Sequence, residues 1–378
     1  MSRAERLERI QRRFDEFAEE YAALPLYGVL AREVARDDET AALLLDAGPG
    51  QARPVLWFAA LHDLVLRRPE LPAARWYASV VGREHVATGD PWPDARATVL
   101  DHRDELARLM ATRSTQTNEV NRSVYLAVGL ALAASDEDVP AAMVAPFTPI
   151  ALVELGASAG LLLGLDRYDI RLDSDTGSAQ LGRPGSPVIC SGRDRSTPTV
   201  TDVVVPPIEG RAGVDLHPVH LDDVDAVRWL QACLWPDVPG RVERFTAARD
   251  LLLPDPPRVI AGDMVDAMPS AVEWARAGAV AEVHVVVFSS WALTYVARDR
   301  RRDLETAMQE LSRDVRRLSW LTAEPPGCAP GVTPPPSAPL GGGGTVLGLR
   351  RWRSGLELPA VALGTCHPHG EWLDLRLG

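Results

Sequence analysis

The sequence contains no lysine, so all 40 residues counted as lysine or arginine are arginines. A phosphate-binding Walker lysine, a lysine that binds pyridoxal and the lysine of protein kinases are therefore excluded. Only 4 cysteines occur in the 378 residues, and no two of them form a C-x-x-C pair. This spacing argues against a zinc site and a disulfide framework, and it favours a reducing compartment.

Excess basic charge and long apolar segments are also lacking. The net charge of -12 argues against nucleic acid and anionic membranes as partners, because both bind basic surfaces. No uninterrupted apolar run approaches the roughly 20 residues of a membrane helix, and residues 1–20 lack the apolar stretch of a signal peptide. We therefore expect a cytoplasmic protein that contacts neither membrane nor nucleic acid.

The first third of the chain has the apolar spacing of helices. Ile10, Phe14 and Phe17 recur at intervals of three and four residues in a charged segment. Further helical patterns cover about 26–47, 54–67 and 94–111. No strand pattern precedes residue 147. The sequence thus predicts an all-helical N-terminal domain or cap over residues 1–112, followed by a second domain over 113–378.

Residues 113–123 are unusually polar and contain the only two asparagines of the chain. They directly precede an apolar helical pattern at 124–134. Capping of that helix, by Thr115 with Asn118 or Glu119, would explain one or two of these residues. The remainder indicates contact with a polar ligand. The candidates for that contact are Gln116, Asn118, Glu119 and Arg122.

Strand and helix patterns alternate from residue 147 onward. The first strand is expected at 150–155, and the run at 283–288 has the β-branched, apolar character of a central parallel strand. A β-rich insertion at about 168–210 interrupts the alternation, and two β-prone runs close the chain. The fold class predicted is α/β, with a doubly wound, mostly parallel sheet and an antiparallel C-terminal edge.

Two chemistries compete for the segment 152–161, which is predicted to be a strand, a glycine-rich turn and the start of a helix. Glu154 closes the strand, and a turn of small residues before a helix suits a nucleotide-like cofactor. The same residues match G-x-S-x-G, in which Ser158 would be the exposed nucleophile of an α/β-hydrolase.

Acidic residues are expected at the ends of three strands, at Glu154, Asp215 and Asp263. Because ligands bind at the carboxyl ends of parallel strands, these acids should converge. One acid before the glycine turn, one for ribose hydroxyls and one near the base is the arrangement that adenosine recognition requires. Each acid taken singly is more often a helix cap.

Over about residues 147–325 these motifs resemble class I S-adenosylmethionine-dependent methyltransferases. The resemblance rests on E-x-G-x-S-x-G at 154–160, V-D-L-H-P at 214–218, G-D at 262–263 and the apolar strand that follows. A wider set of segments resembles a bacterial family of unassigned function that has a methyltransferase-like (Rossmann) fold. These segments are Q-T-N-E at 116–119, the turn at 154–161, D-L-H-P at 215–218, W-P-D at 235–237, G-D at 262–263 and H-P-H-G at 367–370.

The methyltransferase resemblance implies S-adenosylmethionine as cofactor and a small molecule as methyl acceptor. Asp215 would hold the ribose and Asp263 the adenine amino group. The methionine end would contact Glu154, Gly156, Ser158 and Gly160. Further candidates for cofactor contact are His217, Gln116 and Asn118. The candidate catalytic residues are Ser290, Tyr295 and Glu119.

The chain departs from the methyltransferase pattern at three places. Ser158 replaces the usual middle glycine of the turn. The interval from Gly160 to Asp215 is much longer than the roughly 20 residues usual in such folds. The insertion accounts for it, or else Asp173 is the ribose acid. The sequence S-S-W at 289–291 stands where amine-methylating enzymes carry N/D-P-P-Y/F, which disfavours methylation of nucleic-acid amines.

Two other classes of protein remain open. A serine hydrolase would combine Ser158 with Asp263 and either His367 or His369, in the chain order of α/β-hydrolases. Alternatively, the fold binds a ligand or partner without catalysis. The two histidines have no third ligand in evidence, so no metal site is predicted.

Overall fold

The computed structural model describes residues 2–135, 148–200, 203–279, 282–336 and 344–376. The chain divides into two compact units. The first comprises Met1–Asn118 and Asp222–Thr246, and the second comprises Glu119–Leu221 and Ala247–Gly378. The first unit thus extends past the predicted boundary at residue 112 and includes a segment from the second predicted domain.

The described part of the first unit is helical and contains no strand. Its α-helices are α1 (Arg3–Glu20), α2 (Tyr27–Val34), α3 (Asp38–Ala41), α4 (Pro54–Arg67), α5 (Ala78–Val81), α6 (Trp92–Asp101), α7 (Arg103–Thr112) and α9 (Val224–Ala232). Short 3-10 helices cover Ala42–Asp46, Pro72–Trp76 and Arg83–His85. The pattern at 94–111 therefore forms two helices, which are interrupted at His102.

Aromatic side chains fill the core of the first unit. The apolar stripe of α1 is buried at Ile10, Phe14 and Phe17. The rings of Phe14 and Trp57 meet edge to face, with centroids 6.1 Å apart. Trp229, from the segment Asp222–Thr246, belongs to the same buried cluster. The core of this unit is therefore built from both stretches of chain.

The second unit contains the strands and the remaining helices. The strands are β1 (Ile150–Leu155), β2 (Asp169–Ser174), β3 (Gly177–Gln180), β4 (Ile189–Asp194), β5 (Ile208–Asp215), β6 (Arg258–Ala261), β7 (His284–Ser290), β8 (Arg317–Glu324), β9 (Thr345–Arg353), β10 (Leu356–Glu357), β11 (Val361–Cys366) and β12 (Trp372–Leu375). The α-helices are α8 (Ser123–Ala134), α11 (Met264–Arg276) and α12 (Arg298–Asp314), and α10 (Arg241–Leu252) begins in the first unit and ends in the second. The 3-10 helices are Val120–Arg122, Leu161–Arg167 and Leu293–Tyr295.

All twelve strands belong to one sheet, in the order β3-β2-β4-β12-β11-β9-β8-β7-β1-β5-β6, with β10 paired to β9. The run from β8 to β6 is parallel throughout. This confirms a mixed α/β architecture with a largely parallel sheet. Among the C-terminal strands, β9 pairs antiparallel with β8 and β11, and β11 pairs antiparallel with β12, as expected. They do not form an edge, because β12 pairs with β4 of the insertion.

Helices cover both faces of this sheet. Helices α11 and α12 pack on one face, in a cluster that contains Val153, Val287 and Trp320. Helix α8 lies on the other face, and every one of its residues is buried. It contacts β7, β8 and β9 as well as β2 and β4. It therefore packs against strands from both halves of the sheet. No helix in the described ranges has the length and apolarity needed to cross a membrane.

Candidate functional site

The candidate site lies at the carboxyl end of β1, where the strand order changes direction. Strand β1 pairs in parallel with β5 on one side and with β7 on the other. Strands β5 and β6 follow on the first side, and β7 and β8 on the second. Ligands of open α/β sheets bind at such a switch point. The predicted site residues at these strand ends are therefore brought to one edge of the sheet.

The turn after β1 has a backbone that few residues can adopt. The φ angles are 79° at Gly156, 51° at Ser158 and 70° at Gly160. A side chain in the left-handed region costs about 1–2 kcal/mol, so Ser158 is strained. Hydrogen bonds hold the turn, since Gly156 N donates to Val214 O at 2.8 Å and Ser158 N donates to Asp215 Oδ2 at 2.8 Å.

Packing within the protein explains the small residues around this turn. A Cβ at Gly156 would lie 2.5 Å from Ala292 Cβ, and a Cβ at Gly213 would lie 2.5 Å from Ala157 Cβ. Contacts at these distances force the backbone apart. These glycines are therefore required by the approach of neighbouring segments, with or without a ligand.

The helix expected after the turn is instead the seven-residue 3-10 helix Leu161–Arg167. Its first five residues are all buried, and a Cβ at Gly164 would lie 2.7 Å from Leu252 Cδ2. The hydroxyl of Tyr168 donates to Leu161 O, which holds the short helix against the following strand. Such a helix lacks the aligned N–H groups and the dipole of an α-helix N-terminus. The expectation of a helix N-terminus that holds a cofactor after this turn was therefore wrong.

Glu154 is the most deeply buried of the three acids that were predicted at strand ends. Glu154 is only 3% exposed, and its Oε2 has no hydrogen-bond partner among the described residues. Burial, together with the nearby charge of Asp215, raises the pKa of Glu154 well above its usual value, although Arg122 opposes the shift. Burial therefore favours the neutral form of the carboxyl group, and a donor or a cation placed against Oε2 would favour the ionised form.

Arg122 lies beside the carboxyl end of β7 and is 5% exposed. Its Nη1 donates to Ser290 O at 2.9 Å and its Nε donates to Pro368 O at 3.0 Å. The hydroxyl of Ser290 shares a hydrogen bond of 2.9 Å with the hydroxyl of Tyr125. Sequence reasoning named Arg122 and Ser290 but missed Tyr125, because a tyrosine in an apolar helix is indistinguishable from a core residue.

Glu324 is a second buried acid that sequence reasoning missed. Its Oε1 accepts from Ala292 N at 3.0 Å and from Leu293 N at 3.1 Å, so it caps the turn after β7. Burial raises the pKa of Glu324, and these two hydrogen bonds oppose the rise. Glu324 is the last residue of β8, whereas Glu154 is the last but one of β1, so both acids lie at strand ends and their position was a signal in the sequence.

Asp215, and not Asp173, is the acid beside the glycine turn. Glu154 aligns with Gly213 of β5, which places Asp215 two residues farther along the neighbouring strand. Its Oδ1 accepts from the backbone N–H of His217 at 2.9 Å, and His217 itself is exposed. Asp173 lies on β2 and accepts from the hydroxyl of Ser178 in the hairpin formed with β3.

Asp263 caps a helix. Its Oδ1 accepts from Val265 N at 2.8 Å, at the start of α11, and from Arg300 Nη2 at 2.6 Å. Burial acts to raise the pKa of Asp263, but the hydrogen bonds from Val265 and Arg300 outweigh it and lower the pKa. The helix-cap interpretation therefore applies to this acid.

The remaining candidates are spread over several environments. Tyr295, a candidate catalytic residue, is 77% exposed on the 3-10 helix after β7. Glu119 accepts from Asn121 N at 3.1 Å and caps the 3-10 helix Val120–Arg122, whereas the apolar helix α8, for which capping was predicted, has no side-chain cap. Gln116 and Asn118 belong to the first unit.

Asn121 holds the C-terminal histidine segment in place and was not singled out from the sequence. Its Nδ2 donates to Ser191 O at 3.0 Å and to His369 O at 3.2 Å. The rings of His367 and His369 are 5.6 Å apart. Across the described ranges, no three His, Cys, Asp or Glu residues form a group that could hold a metal ion.

A comparison with curated proteins finds no match to this chain. The model of one protein family does match, over residues 11–375. Its description is "Uncharacterized protein conserved in bacteria" (DUF2332). The matched region includes both units, and it confirms the resemblance to a bacterial family of unassigned function. Because the match covers nearly all of the sequence, the chain belongs to this family of bacterial proteins.

Proposed function

We propose that the second unit binds S-adenosylmethionine at the carboxyl ends of β1, β5 and β7 and transfers its methyl group to a small molecule. The observation that carries this proposal is the buried Oε2 of Glu154, which lacks a hydrogen-bond partner among the described residues. Glu154 is the last but one residue of β1, and only Leu155 separates it from the glycine-rich turn. A buried polar group in this state favours a ligand that satisfies it.

The strand order supports a nucleotide-like ligand. Strands β6, β5, β1, β7 and β8 are adjacent and parallel. Numbered by their position along the chain, these five strands have the order 3-2-1-4-5, which is that of a Rossmann sheet. The switch point of such a sheet lies between its strands 1 and 4, which are β1 and β7 here.

The chemistry of Glu154 suits the cationic end of S-adenosylmethionine. Burial raises the pKa of this carboxyl group and so favours its neutral form when no ligand is bound. An ammonium group placed against Oε2 would favour the ionised carboxylate and form a charge-assisted hydrogen bond. Such a bond contributes about 1.5–3 kcal/mol, which corresponds to roughly a tenfold to hundredfold gain in affinity.

Asp215 is the group that would hold the ribose. A carboxylate has about four lone-pair positions, and the N–H groups of Ser158 and His217 take two of them. The residue is partly exposed, so its remaining acceptor positions can accept from ribose hydroxyls. Asp263 has no part in the proposal as an adenine acceptor, because it caps α11 and pairs with Arg300.

S-adenosylmethionine supplies an electrophilic methyl group, so the task of the protein is to orient the acceptor and exclude water. Ser290 ends β7, and Tyr125 fixes the direction of its hydroxyl. Tyr295 follows on the turn that Glu324 caps, and its exposed ring can contact an acceptor at the rim. A role for Glu119 in catalysis stays a prediction.

Calorimetric titration with S-adenosylmethionine and S-adenosylhomocysteine tests the proposal. We expect both ligands to bind the wild-type protein and Glu154→Gln to bind them at least about 10-fold more weakly. Asp173→Asn, which changes an acid of the β2–β3 hairpin, should bind as the wild type does. Absence of binding by either ligand at near-millimolar concentration would overturn the cofactor assignment.

A serine hydrolase is the second candidate function, and the positive φ of Ser158 in G-x-S-x-G favours it. Two observations count against it. Asp263 forms an ion pair with Arg300, and Nε2 of His367 lies 3.7 Å from Oε2 of Glu371. Labelling of the wild type by a fluorophosphonate probe, but not of Ser158→Ala, would support the hydrolase. Cofactor binding without turnover over a panel of acceptors would support a non-catalytic role.

A further inference from the structure

We propose that Arg122 and Glu154 together bind a free α-amino acid group, with the guanidinium on its carboxylate and the carboxyl group on its ammonium. The site would therefore select ligands that end in an intact amino acid and reject those that lack either charge. This inference rests on the proposed site and extends it by naming the part of the ligand that is recognised. It applies to S-adenosylmethionine and to smaller amino acids alike.

Arg122 is a buried cation without a carboxylate partner. Its guanidinium donates only to two backbone carbonyls, those of Ser290 and Pro368, and no described Asp or Glu lies within 4.0 Å of it. In the described part of the chain, Nη2 makes no hydrogen bond. Buried arginines are normally neutralised by an acid, so an anionic ligand is the missing partner.

Glu154 and Ser290, whose carbonyl accepts from Arg122, have side chains on the same side of the sheet. Side chains alternate along a strand, and Val153 and Val287 face α11 and α12. Glu154 and Ser290 therefore face the opposite side, where α8 lies. Glu154 aligns with Phe288, so Ser290 is two residues farther along the adjacent strand.

The spacing of the two groups suits an amino acid. Strand spacing and rise place the Cα atoms of Glu154 and Ser290 about 8 Å apart. The guanidinium of Arg122 donates to the carbonyl of Ser290, so it lies at the end of the strand next to that of Glu154. A zwitterionic α-amino acid with one hydrogen bond at each end spans a similar length.

The charges of the two groups also match a zwitterion. A guanidinium can donate two parallel hydrogen bonds to a carboxylate, which gives both strength and geometry. The acid beside it accepts from the ammonium. A ligand with an amine alone leaves Arg122 without its counter-charge, and a ligand without either group leaves both protein groups unsatisfied.

The test compares ligands on the unmodified protein, because Arg122 also holds two backbone carbonyls and its replacement could impair folding. The ligands are S-adenosylmethionine, its decarboxylated form, 5′-methylthioadenosine and free methionine. We expect decarboxylated S-adenosylmethionine to bind at least about 10-fold more weakly than the intact molecule, and methylthioadenosine more weakly still. Equal binding of the intact and decarboxylated molecules would overturn the inference and leave the proposed function standing.

Variants then assign the effect to Arg122. Arg122→Gln should lose the preference for the carboxylate, whereas Arg171→Gln, at an exposed arginine paired with Asp169, should keep it. If S-adenosylmethionine does not bind but methionine does, in an Arg122-dependent manner, the proposed function fails and the inference stands. If neither binds at near-millimolar concentration, both are overturned.

Discussion

Three acids at strand ends look alike in the sequence, yet each has a different role in the structure. Asp263 caps α11 and Asp215 accepts from the backbone of the glycine turn. Only Glu154, of these three, has a buried oxygen without a hydrogen-bond partner among the described residues. The pattern could predict where the acids lie, but the backbone N–H groups that reach them depend on the turn that follows each strand.

Replacing Glu154 by glutamine should increase stability at neutral pH. Burial raises the pKa of Glu154 in the folded state. At pH values between the pKa of the unfolded state and that of the folded state, the unfolded protein therefore binds fewer protons than the folded protein does. Stability therefore falls as pH rises through this window, and Glu154→Gln removes the loss. Thermal unfolding at pH 5 and pH 8 should show a gain for the variant at pH 8 and a smaller one at pH 5. Equal stability of the two proteins at pH 8 would contradict this.

His62 should make the protein sensitive to mild acid. Burial lowers its pKa from 6.5 to about 4, against opposing hydrogen bonds to backbone carbonyls, of which Ala232 O lies 3.1 Å away. The stability contribution is complete above pH 6.5 and is lost as pH falls towards 4. Between pH 7.5 and pH 5 we expect a loss of about 2 kcal/mol in denaturant unfolding. His62→Gln, which cannot be protonated, should lack this part of the loss; an identical pH profile would refute the assignment.

The N-terminus of helix α2 is capped by a residue that is far away in the sequence. Its own N-cap position, Leu26, has no capping side chain. Asp237 instead accepts from Leu26 N at 3.0 Å and from Tyr27 N at 2.8 Å. Local rules predicted helices in this region but could not identify the cap, because it comes from the segment Asp222–Thr246.

Removal of this distant cap should destabilise the first unit. Asp237→Ala leaves two N–H groups of a helix start without their acceptors, at a cost of about 1–2 kcal/mol. Asp237→Asn keeps one oxygen acceptor and should lose less. Denaturant unfolding of both variants measures this, with Asp222→Ala as an exposed control. A loss in the control as large as that in Asp237→Ala would mean that the cap is not responsible.

Helix α8 shows what an apolar pattern can and cannot predict. The run at 124–134 indicated a helix, and the structure places α8 at Ser123–Ala134. A helix that is apolar on every side must be buried. Which strands surround it could not be read from the pattern, because pairing of β12 with β4 joins two distant parts of the chain.

The molecule as a whole combines predictable elements with unpredictable long-range pairing. Parallel strands, the helical first third and the family were all accessible from local patterns and motifs. The interior position of β9, β11 and β12 was not, since it depends on where the insertion strands pair. The sequence also could not predict that Asp222–Thr246 belongs to the first unit, because its residues would have the same helical spacing in either unit.

The first unit should not fold from residues 1–118 alone. Segment Asp222–Thr246 supplies Trp229 to the core, Arg228 to an ion pair of 3.0 Å with the buried Asp63, and Asp237 to helix α2. Circular dichroism of fragment 1–118 should show incomplete helix and no cooperative melting. A fusion of 1–118 to 222–246 through a flexible linker should restore both. Cooperative melting of 1–118 by itself would contradict this division of the chain.

The most direct test of the proposed function is the number of protons released when S-adenosylmethionine binds. Burial raises the pKa of Glu154, and an ammonium group placed against its carboxyl group would lower that pKa and drive off the proton. Titration calorimetry at pH 7 in buffers of different ionisation enthalpy should then show that the wild type releases protons on binding. It should show no release by Glu154→Gln, which binds more weakly. Binding without proton release by the wild type, or equal release by both proteins, would contradict the central role of Glu154.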